Sequence, residues 1–200
     1  MKLFWVPPSP YSRKVLATAI EKGLHDQIDL IVANPHDSPE ELIMANPLSK
    51  VPTLLLDTGE VIFESLLICE YLDTIAQGPT LFPAPGLSRW RSLGLHSLAS
   101  GLLDAAVLRL VEGRRAEEAD RLANIDRQKK IIVLCLDQLE AGVNEFQDRI
   151  SIGELTVGCA VGFLDFRFPE DPWRNKRPRL AEWYETFANR PSMSETLPRD

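Results

Sequence analysis

Residues 49–65 read SKVPTLLLDTGEVIFES, and this stretch predicts two short strands followed by the start of a helix. Residues 53–56 and 61–63 are β-prone runs, and the four residues between them include Gly59. Such a pattern is typical of an antiparallel hairpin. Because proline has no backbone N–H to donate, Pro52 should open the first strand and not lie inside it.

Two features of this hairpin indicate a binding site. The first is the Val51-Pro52 bond, and since only ~5–6% of X-Pro bonds are cis, the spacing leaves its isomer open. A cis bond would turn the N–H and C=O groups of Val51 outward, where an extended peptide can pair with them. The second is Glu64-Ser65 at a helix N-terminus, where free N–H groups favour a carboxylate and Glu64 adds an acceptor for an ammonium group. Together they predict a site for an amino acid's two charged ends and its neighbour's backbone.

This stretch resembles the glutathione-binding half of the glutathione transferases. In that family a valine-type residue before a cis-proline pairs with the cysteinyl backbone of glutathione, and a Glu-Ser pair binds the γ-glutamyl end. The resemblance implies that Val51, Pro52, Glu64 and Ser65 bind glutathione as a co-substrate. Ordinary helix capping is the alternative role for Glu64 and Ser65. Lys50 is a further candidate, for the glycine carboxylate, with a solvated turn lysine as the alternative.

Composition bounds the class of protein. The chain has 200 residues, a net charge of −7, 44% hydrophobic and 26% charged residues, as in an ordinary soluble globular protein. The acidic balance argues against nucleic acid or an anionic membrane as a partner. The longest strongly apolar run, residues 155–164, is shorter than the ~20 residues of a membrane helix. With three widely spaced cysteines in apolar patterns, we expect buried thiols, no metal site and a cytoplasmic location.

The order of elements predicts two domains. Residues 3–6 and 28–32 are apolar strands separated by a helix that begins at Ser9-Pro10, so they should pair in parallel. A short helix ends by Asn46-Pro47, and the hairpin and the Glu64 helix complete the order β-α-β-α-β-β-α. That order resembles the α/β thioredoxin-like fold. We therefore predict a thioredoxin-like domain over residues 1–77, a linker rich in proline and glycine over 78–85, and an all-α helical-bundle domain over 86–200.

The second domain is predicted from helical periodicity. Apolar residues recur at helical spacing around Leu102 and around Leu136, whereas residues 112–130 are strongly charged and predict a solvated helix end or loop. Ser151 and Glu154 form a capping box before an almost wholly apolar run. That run resembles the buried central helix of the transferase C-terminal domain.

Ser9 is the candidate catalytic residue. It occupies a strong helix N-cap, where its hydroxyl can donate to a thiolate and the helix N–H groups favour negative charge. Because the family places its serine or cysteine here, the resemblance to serine-type members implies that Ser9 stabilises the glutathione thiolate. A plain N-cap is the alternative, and Ser12 is a second candidate. Since Ser9-Pro10-Tyr11-Ser12 has oxygen where a redox Cys-Pro-Tyr-Cys motif has sulfur, disulfide exchange by the enzyme is disfavoured.

The resemblance also implies a pocket for an electrophile between the two domains. Its candidate residues, for which plain core or dimer surface is the alternative, are Trp5, Tyr11, Leu103, Asp104, Val107 and Leu108. The expected function is a glutathione transferase that attacks a small hydrophobic electrophile and forms a homodimer. The alternatives are a glutathione-dependent reductase or isomerase, and a non-catalytic partner-binding protein that keeps the transferase fold.

Overall fold

A computed structural model describes residues 1–116, 120–146 and 149–200. The chain forms two compact units, one of Met1–Ala84 with Arg190–Asp200 and the other of Pro85–Asn189. In chain order the strands and helices are β1 (Lys2–Trp5), α1 (Pro10–Glu21), β2 (Asp29–Val32), α2 (Glu40–Ala45), β3 (Thr53–Leu55), β4 (Val61–Phe63), α3 (Ser65–Ile75), α4 (Leu87–Arg114), α5 (Arg121–Gly142), α6 (Ile152–Arg167), α7 (Pro178–Phe187) and α8 (Pro191–Ser194). Short 3-10 helices span His25–Gln27, Pro35–Asp37, Val143–Glu145 and Trp173–Lys176.

The first unit is built on a mixed four-stranded sheet in the order β2-β1-β3-β4. β1 pairs with β2 in parallel, as expected for strands joined by a helix, and β3 pairs with both β1 and β4 in antiparallel fashion. The predicted hairpin is present, with Leu54 opposite Ile62. The thioredoxin-like order followed by a helical region is confirmed, and the strand bounds differ from the predicted ones by at most one residue.

Both faces of this sheet are covered, which explains the apolar residues at successive positions of β1. Leu3 is fully buried, as are Val15 of α1 and Leu72 of α3, and α1 packs against α3. Phe4 points to the opposite face because side chains alternate along a strand. There it packs with Ala33 and with Leu42 of α2.

A buried ion pair fixes the segment that leaves α3. Lys22 Nζ lies 2.9 Å from Asp73 Oδ1, with side-chain exposures of 1% and 4%. Lys22 also donates to the carbonyl of Pro79, and the Asp73 carboxylate accepts the N–H groups of Leu81 and Phe82. Both Asp73 oxygens and two of the three Lys22 N–H groups therefore have partners, which offsets part of the cost of burying the two charges.

The second unit is arranged around α6, whose residues 152–164 are all buried. The predicted capping box is present: Ser151 Oγ accepts the N–H of Gly153, and Glu154 accepts the N–H of Ser151 at 2.9 Å. α4 packs against both α5 and α6. At the contact between α6 and α4, a Cβ on Gly153 would lie 2.8 Å from the carbonyl oxygen of Ser92.

The charged stretch over residues 112–130 is only partly described. Its first residues end α4, its later ones begin α5, and residues 117–119 lie outside the described part of the chain. α4 is long and apolar enough to match a membrane span by composition, a property it shares with core helices of soluble proteins. Its buried residues, among them Leu102 and Ala106, belong to the helical unit.

The end of the chain is placed differently from the sequence prediction. The predicted second domain ran over residues 86–200, whereas Arg190–Asp200 pack with the first unit. The physical reason is that Glu21 and Arg13 of α1 supply partners for this segment. The sequence offers no local pattern that identifies such partners, because they lie far away along the chain.

Candidate functional site

Ser9 is held by three hydrogen bonds at the start of α1. Its N–H donates to Val6 O at 3.1 Å, its carbonyl accepts from Arg13 N at 3.0 Å, and its Oγ accepts from Ser12 N at 3.2 Å. A serine hydroxyl has one proton to donate and two lone pairs to accept with. Because Ser12 N–H takes up one lone pair, the Ser9 proton is left to point away from the helix. Ser9 is half-buried, so a ligand can reach that proton.

Ser12 differs from Ser9 in access. Its side chain is fully buried, and its Oγ has no hydrogen-bond partner within the described residues. The hydroxyl of Ser9 is therefore more accessible than that of Ser12.

The Val51-Pro52 bond is cis, and Pro52 directly precedes β3. Among the described residues, neither the N–H nor the carbonyl of Val51 has a hydrogen-bond partner. Lys50 is exposed at the side chain, while its carbonyl accepts from Thr53 Oγ1 at 2.8 Å and Asn46 Nδ2 at 3.2 Å.

Asn46 is a supporting residue that sequence reasoning missed. It is 1% exposed, donates to Thr53 Oγ1 at 2.9 Å and accepts the N–H of Leu48 at 3.0 Å. These bonds tie the loop before Val51 to the first residue of β3. An Asn-Pro pair indicates a turn, but its sequence carries no sign that the amide side chain turns inward.

Glu64 caps α3 from a strained backbone. Its φ of 79° is uncommon for a residue with a side chain. Glu64 Oε2 accepts the N–H of Leu66 at 3.0 Å, and Oε1 accepts from the hydroxyl of the buried Ser65 at 3.2 Å. Backbone strain of this kind is found at ligand sites, where the surrounding structure maintains it.

The sheet brings these groups to one end of its strands. Thr53, the first residue of β3, lies opposite Phe63, the last of β4, and also opposite Phe4 near the end of β1. The loop to Ser9, the Val51-Pro52 turn and the Glu64-Ser65 pair therefore leave the sheet at the same end. The N-termini of α1 and α3 begin there too, so free N–H groups and two helix dipoles favour an anionic ligand.

The predicted electrophile residues lie in both units. Trp5 ends β1 and Tyr11 lies in the first turn of α1, each half-buried. In α4, Leu103 is fully buried, whereas Asp104 and Leu108 are exposed and Val107 is half-buried. Their joint role as a pocket stays a prediction.

Two cavities of about 460 and 310 Å³ lie elsewhere, in the helical unit beside Phe168. Arg174 pairs there with Asp165, and Arg109 pairs with Asp171 and lies over the Phe168 ring. None of the predicted site residues lines them. Across the described part of the chain, no group of three His, Cys, Asp or Glu side chains is arranged to hold a metal.

Fold and site together define a thioredoxin-like unit whose candidate binding groups lie at one end of the sheet, followed by a helical unit. Comparison with known proteins agrees. The model of the glutathione S-transferase N-terminal domain matches residues 8–75, and that of the C-terminal domain matches residues 123–186. The chain belongs to the glutathione S-transferase family.

Full-length relatives match both units. The GST-like protein YibF of Escherichia coli, whose name marks it as uncharacterised, is 30% identical over 99% of this chain and 98% of its own. A glutathione transferase family member from Pseudomonas fluorescens Pf-5, solved with bound glutathione, has a TM-score of 0.95 and 39% identity over 100% of this chain and 99% of its own. A glutathione S-transferase from Methylobacillus flagellatus KT, also with glutathione bound, has a TM-score of 0.91 and 31% identity over 99% of each chain.

Proposed function

We propose that this protein is a glutathione transferase, in which the thiolate of bound glutathione attacks a small hydrophobic electrophile. The observation that supports the proposal is that Ser9, Val51 and the Glu64-Ser65 pair lie at the same end of the sheet. The bound glutathione in the relatives from P. fluorescens and M. flagellatus supports it.

Each group has a part in binding. The free N–H and carbonyl of Val51 pair with the cysteinyl backbone in the manner of an added strand. On binding, the Ser65 hydroxyl turns its proton from Glu64 Oε1 to the γ-glutamyl carboxylate, which the N–H groups of α3 also bind. The Glu64 carboxylate binds the ammonium group. Lys50 is the partner of the glycine carboxylate.

The Ser9 hydroxyl donates to the thiolate. Free glutathione is only about 3% thiolate at pH 7 if cysteine is the guide. Lowering its thiol pKa by ~2 units would raise reactivity only about threefold, since nucleophilicity falls as the pKa falls. Most of the rate enhancement must therefore come from holding the thiolate against the electrophile and stabilising the transition state.

Conjugation is favoured over reduction or isomerisation by one further comparison. The relative from P. fluorescens has also been solved with S-(propanoic acid)-glutathione, at a TM-score of 0.91 and 39% identity. Glutathione substituted at sulfur is the type of product that conjugation yields. Product analysis separates conjugation from reduction, because oxidised glutathione without a conjugate indicates a reductase.

Calorimetric titration with glutathione, on the parent and on Ser65→Ala, tests the proposal. We expect saturable binding that weakens by ~1–3 kcal/mol in the variant, because a hydrogen bond to a charged group is lost. A folded parent that binds no glutathione at millimolar concentration would refute the transferase and favour a protein that keeps the fold for partner binding.

A homodimer in the cytoplasm completes the proposal. Exposed apolar side chains such as Leu67 on α3 and Trp90 on α4 are candidates for a dimer surface. Sedimentation at micromolar concentration should give the mass of two chains, and the mass of one chain would contradict it.

A further inference from the structure

The last residues of the chain, Arg190–Asp200, return to the first unit. They include α8, which packs on α1, and we call them the C-terminal strap. Ser192 and Met193 of the strap are buried, at 1% and 0% exposure. The strap is therefore part of the packed unit that carries Ser9 and not a loose end.

Two sets of hydrogen bonds attach the strap to α1. At the last residue of the helix, Arg190 donates to both carboxylate oxygens of Glu21 at 2.8 Å, and Ser192 Oγ donates to the same carboxylate at 2.5 Å. Near the helix start, Arg13 Nη2 donates to the carbonyl of Met193 at 3.1 Å, and its Nε donates to Thr196 Oγ1 at 3.4 Å. The two attachments are eight residues apart, or about 12 Å along the axis.

Arg13 is an unusual cation. Its side chain is 3% exposed, and its Nη1 has no hydrogen-bond partner within the described residues. No carboxylate of the described chain forms an ion pair with it. A buried arginine is normally paired with an acid, whereas Arg13 is held by two neutral oxygens of the strap.

Arg13 links the strap to Ser9 through hydrogen bonds at both ends of the residue. The strap holds the guanidinium of Arg13, and the backbone N–H of Arg13 donates to the carbonyl of Ser9 at 3.0 Å. The N–H of the preceding residue, Ser12, is the one that orients the Ser9 hydroxyl. Arg13 thus belongs to the same helical turn that sets the direction of the Ser9 proton.

We propose that the C-terminal strap positions Ser9, with Arg13 as the positioning residue that orders the first turn of α1 and adds positive charge beside it. The effect on a bound thiolate rests on the proposed function. The ordering of the helix start does not, so the two parts can be tested separately.

The ordering is tested by hydrogen exchange without glutathione. Arg13→Gln should speed exchange of the amides of residues 12 and 13 about fivefold or more. Thr196→Val should speed it less, because it removes only one of the two bonds from Arg13 to the strap, together with a bond inside the strap from Thr196 Oγ1 to the Ser192 carbonyl. Arg199→Gln is the matched control, because it removes an exposed positive charge from the same strap without touching a bond to α1. Unchanged exchange in folded Arg13→Gln would overturn the proposal.

The effect on the thiol is tested by its thiolate absorbance as a function of pH. Arg13→Gln should raise the pKa of bound glutathione and lower the thiolate fraction about five- to tenfold at a pH below both values. The Kd for glutathione should change less than about twofold at about pH 5, where the thiol is protonated in both proteins. Arg13→Lys keeps the positive charge but lacks the planar guanidinium with its several N–H donors. It should therefore bring the thiol pKa closer to the parent value than it brings the amide exchange rates.

The two proposals fail in distinguishable ways. If the parent binds no glutathione, the proposed transferase function is overturned. If the amides of residues 12 and 13 nevertheless exchange faster in Arg13→Gln than in the parent, the positioning role is supported. If the parent binds glutathione and the thiol pKa of bound glutathione is the same in folded Arg13→Gln as in the parent, the electrostatic effect of Arg13 is overturned.

Discussion

At the scale of single residues, Ser9 and Ser12 differ in what their hydroxyls can do. Ser9 is half-buried with its proton free, whereas Ser12 is fully buried. We expect Ser9→Ala to raise the pKa of the bound thiol by about 1–2 units, because a hydrogen bond to a charged group is lost. The same variant should lower kcat/KM for conjugation of an activated aryl halide only about threefold at about pH 7, since the nucleophilicity of the thiolate rises with its pKa. Ser12→Ala should leave the rate near that of the parent. A low rate in Ser12→Ala with a near-parent rate in Ser9→Ala would show that Ser12, and not Ser9, stabilises the thiolate.

Glu64 combines a strained backbone with a helix cap, so its variants separate stability from binding. Glu64→Ala loses the bond to Leu66 N–H, about 1 kcal/mol, and keeps a Cβ at a φ of 79°. Glu64→Gly loses the same cap but relieves the strain, so it should be more stable than Glu64→Ala by about 1 kcal/mol. Both should bind glutathione more weakly than the parent. Urea unfolding and calorimetry check the two effects, and equal stabilities of the two variants would show that the φ angle stores no strain.

At the scale of helices, Gly153 sets how closely α6 approaches α4. A Cβ there would lie 2.8 Å from Ser92 O and 3.0 Å from Leu95 Cβ, so Gly153→Ala should cost about 1–3 kcal/mol in the free energy of unfolding. Gly94, on the facing helix α4, is the control because a Cβ there meets nothing within 4 Å. Gly94→Ala should instead stabilise by about 0.5–1 kcal/mol through helix propensity. Chemical unfolding of both variants checks the sign, and a neutral Gly153→Ala would show that the helices can move apart.

Elements were predictable from the sequence where their signals are local. The Ser9 cap, the hairpin around Gly59 and the capping box at Ser151 each depend on residues a few positions apart. Gly153 and the strap were missed because their partners come from distant parts of the chain. Asn46 was missed for another reason: its partners are two to seven residues away, but the Asn-Pro pair does not show that its side chain turns inward. The cis state of the Val51-Pro52 bond was left open for a related reason, since an X-Pro sequence permits both isomers and tertiary context selects one.

At the scale of the whole molecule, a carboxylate joins a late element to an earlier helix in each unit. Glu21 of α1 binds the strap, and Glu140 of α5 accepts the N–H of Leu180 at 2.8 Å and the side chain of Arg179. Burial alone would raise the pKa of each carboxyl, but the hydrogen bonds from Arg190 and Ser192 in one case, and from Leu180 and Arg179 in the other, lower it below the usual 4.5. A lowered pKa in the folded state stabilises the protein above the unfolded value, and this stabilisation is lost as pH falls through the folded value.

The two units should therefore respond to acid through different residues. Glu21→Gln should speed amide exchange of residues 190–200 at about pH 7 and make that exchange less dependent on pH below about 4.5, because the group that takes up a proton is gone. Glu140→Gln should have the same effect on α7 and leave the strap unchanged, so each variant is the control for the other. If the exchange of residues 190–200 in Glu21→Gln followed that of the parent at both pH values, the strap would be held by its apolar contacts, such as the fully buried Met193, and not by the Glu21 carboxylate.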